Sequence, residues 1–187
     1  MTRDLSRADV NGMAQMLTLS DLYTVPTPPF AKEAYAITPI SNTGKSDLCT
    51  VGYYCAYDGV TKAYSLKRLF KGSDATYTSL ATALPNFTAI FQKDTPAADE
   101  IAAAYVWDLQ FHPGVGKDVV DPSTVPSTQW NWLEIRFKSM STASGRKIRN
   151  TPIDLSTWFD ATSPLHKTYI LPFEQQFVSR IALHQNQ

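Results

Sequence analysis

The chain has 187 residues, 43% of them hydrophobic and 18% charged, and its 17 basic and 17 acidic side chains leave a formal net charge of +0. This length suits one ordered domain, and a neutral chain has no overall attraction to nucleic acid or an anionic membrane. Since the chain shows neither a signal-peptide pattern at its start nor an apolar run of membrane-spanning length, we expect no secretion signal and no membrane span.

Residues 1–33 are predicted to form a short helix and a proline-rich arm. Within residues 5–19, Val10, Met13, Ala14 and Leu17 recur at helical spacing. Residues 23–40 contain four prolines, which fix an extended path and remove backbone donors. This segment therefore reads as an arm or an edge strand rather than a core element. Residues 34–187 are expected to form a single β-domain.

The strongest local signal is Asp58-Gly59, which stands between two alternating runs and predicts a β-hairpin with a two-residue turn. Cys49 and Cys55 fall on the first arm, too far apart along one strand to form a disulfide. We expect both to be structural thiols. The residues predicted to share one face of this hairpin are Cys49, Val51, Tyr53, Cys55 and Tyr57 on the first arm, and Val60, Tyr64, Leu66 and Phe70 on the second.

A helix is predicted over residues 73–85, followed by strands over 87–92 and 104–111. On the second of these strands Tyr105, Trp107, Leu109 and Phe111 are predicted to share one face. Asp108, Gln110 and His112 form a polar row on the other face. That row fits a solvated strand face, or alternatively a site that holds a sugar hydroxyl or a cation.

The stretch 128–150 begins with strict alternation and ends in a basic cluster. It predicts a strand with Leu133, Ile135 and Phe137 facing the core. The opposite face, expected to be exposed, carries Trp130, Trp132, Arg136 and Lys138.

Toward the C-terminus, a helical turn is predicted over 154–159, and two short strands or one bent strand are predicted over 167–185. In this last segment the side chains expected to face inward are Phe177, Ile181 and Leu183, and those expected to face outward are Arg180 and His184.

The total of eight or nine strands predicts an all-β, mainly antiparallel fold with short helices. We expect a β-sandwich or a barrel, and eight strands with long connections suit a single jelly roll.

Charge is segregated along the chain. Residues 60–71 hold four cations and no acid, 134–149 hold five cations against Glu134, and 94–121 hold six acids against Lys117. A solvated surface of mixed charge is one explanation, and self-complementarity between copies is the other. The candidate interface residues are Trp130, Trp132, Arg136, Lys138, Arg146, Lys147, Arg149, Asp118 and Asp121.

Catalytic and metal-binding signatures are weak. Gly44-Lys45-Ser46 resembles the end of a phosphate loop, but Pro39 stands where its first glycine is required and a strand is predicted to follow. The three histidines have no partner at metal-ligand spacing, and no nucleophile-elbow motif is present. We therefore expect no enzyme activity, no metal and no cofactor.

Three function classes remain. The favoured hypothesis is a self-assembling structural subunit of a viral or phage virion, in a capsid or tail, that binds copies of itself and other structural proteins of the same particle. Its expected location is the virion, assembled in the host cytoplasm, with a cytoplasmic protein as the alternative. A single-stranded nucleic-acid-binding β-barrel would use Trp130, Trp132, Arg136 and Lys138 for stacking and phosphate contacts. A carbohydrate-binding sandwich would use the exposed indoles with Asp108 or Gln110.

Overall fold

The computed structural model describes residues 1, 17–20, 33–39, 48–83 and 99–183. These residues form a mainly antiparallel β structure of two sheets with short helices, which confirms the predicted β class. Residues 5–16 of the predicted helix 5–19, the proline-rich stretch 21–32 of the predicted arm, the Gly44-Lys45-Ser46 motif, the strand 87–92 and His184 lie outside the described residues.

The first sheet has five antiparallel strands in chain order: β1 (Leu17–Ser20), β2 (Glu33–Pro39), β3 (Leu48–Asp58), β4 (Ala63–Lys71) and β5 (Glu100–Ala104). Residues 17–19 thus lie in a strand, not in the predicted helix. β2 pairs with β1 on one side and β3 on the other, and its residues 33–37 are buried. The prediction of an arm or edge strand is therefore wrong for 33–39. Pro39 is tolerated because it is the last residue of its strand.

The second sheet has four antiparallel strands in the order β7-β6-β8-β9: β6 (Val106–Val115), β7 (Asp118–Val119), β8 (Trp132–Ser139) and β9 (Gln175–Ala182).

Helix α1 spans Ser73–Ala83 and helix α2 spans Thr142–Ile148, with shorter helical turns at Ser127–Gln129, Ser156–Trp158, His166–Ile170 and Leu171–Phe173. The helical turns at 156–158 and 73–83 were predicted. Residues 167–173 are helical rather than extended, with Pro172 in the first turn of a 3₁₀ helix, where no donor is needed. Within the described ranges, no helix is both long enough and apolar enough to cross a membrane.

The β3–β4 hairpin is confirmed, with Tyr57 opposite Tyr64 and Asp58 opposite Ala63. Its loop, residues 59–62, has four residues instead of the predicted two. The Asp58 carboxylate accepts hydrogen bonds from the Val60 amide at 2.8 Å and the Thr61 hydroxyl at 2.9 Å, and the left-handed residue is Lys62, with φ of 54°. The side chain of Asp58 thus stabilises a wider turn.

Side chains from both sheets pack together in one core cluster. Val51, Tyr53 and Leu66 come from the first sheet, and Phe111, Leu133 and Ile135 from the second. The predicted core positions Leu133 and Ile135 are confirmed, whereas Phe137 is only partly buried. A second cluster lies under the helices and contains Ala63, Trp107, Met140, Ile148, Ile153, Trp158 and Ile170.

A β-bulge divides β6 between these two clusters. Trp107 opposes Lys138 and Gln110 opposes Arg136, so Asp108 and Leu109 together oppose one residue of β8. Asp108 has φ of 52°. The extra residue interrupts the two-residue alternation, so Leu109 packs in the first cluster and Trp107 in the second. The prediction that Tyr105, Trp107, Leu109 and Phe111 share one face is wrong for this reason.

Candidate functional site

A charged network crosses three strands of the second sheet on the face opposite the shared core. Its centre is Glu134 on β8, which opposes His112 on β6 and Arg180 on β9. Glu134 is 6% exposed and accepts hydrogen bonds from Arg136 Nε at 2.7 Å and Arg180 Nη2 at 2.9 Å. Burial alone raises the pKa of Glu134, but the hydrogen bonds and charges of Arg180 and Arg136 outweigh it, and the net pKa is lowered. The carboxylate is therefore ionised and internally neutralised.

The predicted polar row is brought together as one hydrogen-bonded chain. Gln110 Nε2 donates to Asp108 Oδ1 at 2.8 Å, and Gln110 Oε1 lies 3.1 Å from His112 Nε2. Burial, followed by the charge of Arg136, lowers the pKa of His112, although Glu134 opposes this shift. The row satisfies its own members, so it offers few free groups to a sugar or a cation.

Trp130 and Trp132 are buried within the single chain, at 3% and 7% exposure. The expectation that both indoles face outward into solvent is therefore wrong. Trp130 belongs to the core cluster and donates to the Val125 carbonyl at 3.0 Å. Trp132 lies across Gly114, where a Cβ atom would be only 1.9 Å from its ring, and its Nε1 donates to the Gly116 carbonyl at 2.9 Å. The glycine opposite leaves room for the indole to lie flat on the sheet.

Lys138 is also engaged within the chain. Its Nζ lies 3.2 Å from Glu174 Oε1 and 3.8 Å from Asp108 Oδ2. Four of the nine candidate interface residues therefore make their contacts within one copy of the chain: Trp130, Trp132, Arg136 and Lys138.

The other five candidates lie in two groups. Arg146, Lys147 and Arg149 are exposed on or beside α2, and none forms an ion pair with any other residue that the structure describes. Asp118 is exposed in β7. Asp121, three residues later, accepts hydrogen bonds from the Ser123 hydroxyl and amide, and these lower the pKa of Asp121.

These two groups lie at opposite ends of the second sheet. Val106 at one end of β6 pairs with Ser139, close to the start of α2, and Val115 at the other end pairs with Asp118. At about 3.3 Å per residue, the strand separates the ends by about 30 Å. The sequence block 94–121 is itself divided in space, because Glu100 pairs with Arg68 at 3.5 Å on the first sheet and Asp108 with Lys138 on the second.

The sequence did not reveal the exposed edge of β9. This strand is last in its sheet, and its outer edge has no strand partner in the part of the chain that the structure describes. Phe177 is 45% exposed and Val178 is 58% exposed, and the exposed Leu171 and Phe173 precede them. Alternation predicted Phe177 as inward, but strand order, which makes β9 an edge, depends on pairings that alternation does not encode.

Other chemistry finds little support among the described residues. They contain no cluster of His, Cys, Asp and Glu side chains that could hold a metal ion. Neither Cys49 nor Cys55 forms a disulfide, and burial raises the pKa of Cys55 to about 12. A thiol with so high a pKa is a poor nucleophile at neutral pH.

Comparisons of the chain with protein-family models, with curated proteins and with solved structures found no match, so no family is assigned.

Proposed function

We propose that the chain is a self-assembling structural subunit, of the kind that builds a viral or phage capsid or tail, and that it pairs through the outer edge of β9 with a second copy. The observation that carries this proposal is the exposed apolar edge of β9, with Phe177 and Val178 in the strand itself. For the body we propose a sandwich of the two sheets, with a jelly roll as one form of it; the mixed core cluster supports this arrangement.

The composition of β9 supports strand pairing. Its sequence, QQFVSRIA, has no proline, no glycine and a single charge, and it pairs with β8 over eight residues without a bulge. Monomeric proteins commonly protect edges with prolines, lysines or bulges, because an unprotected edge pairs with other chains. The absence of these features favours an edge that is covered by another strand.

The second copy is best placed antiparallel, around a two-fold axis near Val178. This register sets Arg180 of one copy opposite Gln176 of the other and brings the two Val178 side chains together. A parallel in-register arrangement would instead align the two Arg180 side chains, and like charges directly opposite destabilise a pair. The two-fold pairing would join two four-stranded sheets into one of eight strands.

A second contact would extend a dimer into a larger assembly. The cations Arg146, Lys147 and Arg149 lie at one end of the second sheet and Asp118 and Asp121 at the other. Opposite charges at opposite ends favour a head-to-tail contact between copies, which closes into a ring or continues as a filament. Such a contact weakens as salt rises.

The nucleic-acid alternative loses its main support. It requires exposed rings beside free cations, but Trp130 and Trp132 are buried and Arg136 is paired with Glu134. The carbohydrate alternative, as based on these indoles, loses support for the same reason.

Sedimentation velocity over a range of concentrations tests the proposal. Val178→Lys places a charge in the proposed interface and is expected to leave mainly monomers at tens of micromolar, where the wild type associates. Val60→Lys is the matched control, because Val60 is 81% exposed in the β3–β4 loop, which belongs to the other sheet. Monomeric wild-type protein at these concentrations, or equal association of Val178→Lys and wild type, would contradict pairing through β9.

A further inference from the structure

Three polar side chains lie in one row across the second sheet, on the face opposite the shared core. His112 on β6 is the cross-strand partner of Glu134 on β8, and Glu134 is in turn the partner of Arg180 on β9. Because β9 is the last strand of its sheet, the row joins a buried histidine to the edge strand. A change of charge at His112 can therefore act on the β9 edge through a single carboxylate.

The carboxylate of Glu134 is already paired with two cations. Its Oε1 lies 2.6 Å from Arg136 Nη2, and its Oε2 lies 2.9 Å from Arg180 Nη2. Glu134 is buried, so salt and solvent screen little of any charge that is added beside it. A third cation next to this one acid would leave the row with an excess of positive charge.

His112 is the side chain that can supply this third cation. It is buried, and its Nε2 lies 3.1 Å from Gln110 Oε1. The charge of an ordinary histidine changes between about pH 5 and 8. Burial, followed by the charge of Arg136, lowers the pKa of His112 from 6.5, so the ring is neutral at neutral pH and takes up its proton in mild acid.

The charged side chains around His112 are Asp108 on its own strand, Glu134 and Arg136 on β8, Arg180 on β9, and Asp121 beyond β7. Two of the three acids have other partners: Asp108 accepts a hydrogen bond from Gln110, and Asp121 accepts two from Ser123. Glu134 is the acid directly opposite His112, and it favours the protonated ring. A protonated His112 therefore competes with the arginines for Glu134.

Arg180 is the arginine expected to leave. Arg136 lies on the same strand as Glu134 and contacts Oε1 through both Nε, at 2.7 Å, and Nη2. Arg180 holds the other oxygen through Nη2 only, and its side chain is 53% exposed on the edge strand. Its guanidinium carbon also lies 3.9 Å from the centre of the Trp132 ring, so its departure uncovers that ring.

We propose that protonation of His112 releases Arg180 from Glu134 and thereby weakens the pairing of two copies through β9. The inference rests on the proposed β9 contact, in which Arg180 of one copy lies opposite Gln176 of the other. A released guanidinium places an unmatched charge at this contact, whereas the bound one is paired with Glu134. The neutral ring stabilises the row above the ordinary pKa of 6.5, and this contribution is lost as pH falls through the lowered pKa.

Sedimentation velocity at about pH 7.5 and about pH 5 tests the proposal, because Glu134, whose pKa is lowered from 4.5, stays ionised over this range. We expect the wild type to associate about tenfold more weakly at the lower pH, within the usual range of coupling between sites. His112→Gln keeps a polar side chain that takes up no proton, and it should associate equally at both pH values. Undiminished association of the wild type at the lower pH, or an equal loss in His112→Gln, would overturn the proposal.

His166→Gln is the matched control. His166 is the other buried histidine that the structure describes, and its Nδ1 lies 2.8 Å from the Thr157 carbonyl, outside the second sheet. This variant should keep the wild-type loss of association in acid. A loss that disappears in His166→Gln and persists in His112→Gln would assign the response to the wrong histidine and overturn the proposal.

A second readout depends neither on association nor on a variant that folds. In dilute wild-type protein, the nuclear Overhauser contact between the Arg180 side chain and the Trp132 ring should weaken with the same midpoint as the His112 imidazole titration. A contact that persists while His112 titrates, or a ring of His112 that is still neutral at about pH 5, would overturn the switch. Lack of association at neutral pH would instead contradict the proposed function alone.

Discussion

The guanidinium carbon of Arg180 lies 3.9 Å from the centre of the Trp132 indole ring. The same guanidinium donates to Glu134, so one β9 side chain covers an aromatic ring and neutralises a buried acid on β8. Arg180, on the edge strand β9, thereby covers part of the outward face of β8. This contact explains why the alternating pattern of 130–138 does not produce an exposed aromatic surface.

Arg180→Ala is expected to destabilise the fold by about 1–3 kcal/mol. It removes a cation–π contact and a hydrogen bond to a charged group, and it leaves Glu134 with Arg136 alone. Urea unfolding measures the change, and iodide quenching should report a more accessible tryptophan. Arg149→Ala is the control, because Arg149 is exposed without an ion pair among the described residues, and it should change stability by less than about 0.5 kcal/mol. Equal effects of the two variants would contradict the structural role of Arg180.

Gly114→Ala should destabilise the protein by about 1–3 kcal/mol, since the new Cβ would overlap the Trp132 ring and force it to move. Gly59→Ala is the matched control, since no atom lies within 4 Å of the Cβ position there. Thermal unfolding of both variants checks this. A neutral Gly114→Ala would mean that the indole does not lie across β6.

Glu134 is expected to make stability depend on acid pH. Its pKa is lowered in the fold from the ordinary 4.5, so its contribution is present above about pH 4.5 and is lost as pH falls through the folded-state pKa. Glu134→Gln should cost about 1–3 kcal/mol at neutral pH and reduce the further loss on acidification. Urea unfolding at neutral and acidic pH measures both effects.

The control for this pH dependence is Glu100→Gln. Glu100 lies on β5 and its carboxylate is well exposed, so an isolated pair with Arg68 is expected to add little. The Glu100→Gln variant should therefore show the same pH dependence of the free energy of unfolding as the wild type. An acid response of Glu134→Gln that matches the wild type would show that Glu134 does not contribute to it.

His112 should titrate below the ordinary value of 6.5, because it is buried and Arg136 lies near. Glu134, directly opposite, acts against this shift. NMR of the imidazole protons measures the pKa, and Arg136→Gln should raise it. A pKa at or above 6.5 in the wild type would contradict the observed environment.

The sequence predicted much of the local structure. Alternation identified the β3–β4 hairpin and the inward positions Leu133 and Ile135 correctly, because a period of two reports which residues share a strand face. It failed at Trp107, where one extra residue at the bulge reverses the faces, a change that depends on pairing with β8.

The candidate site was harder to predict for a related reason. Whether Trp132 is exposed depends on Gly114 and Arg180, which belong to two other strands. Residue types at each position were visible in the sequence, but their neighbours across the sheets were not.

Hydrogen exchange of the β9 amides tests the central claim, pairing through this edge, most directly. About half of these amides point away from β8, because alternate residues of a strand donate to opposite sides. We expect them to exchange slowly in concentrated wild-type protein, and rapidly on dilution or in Val178→Lys. Rapid exchange of the outward β9 amides in assembled wild-type protein would contradict the account.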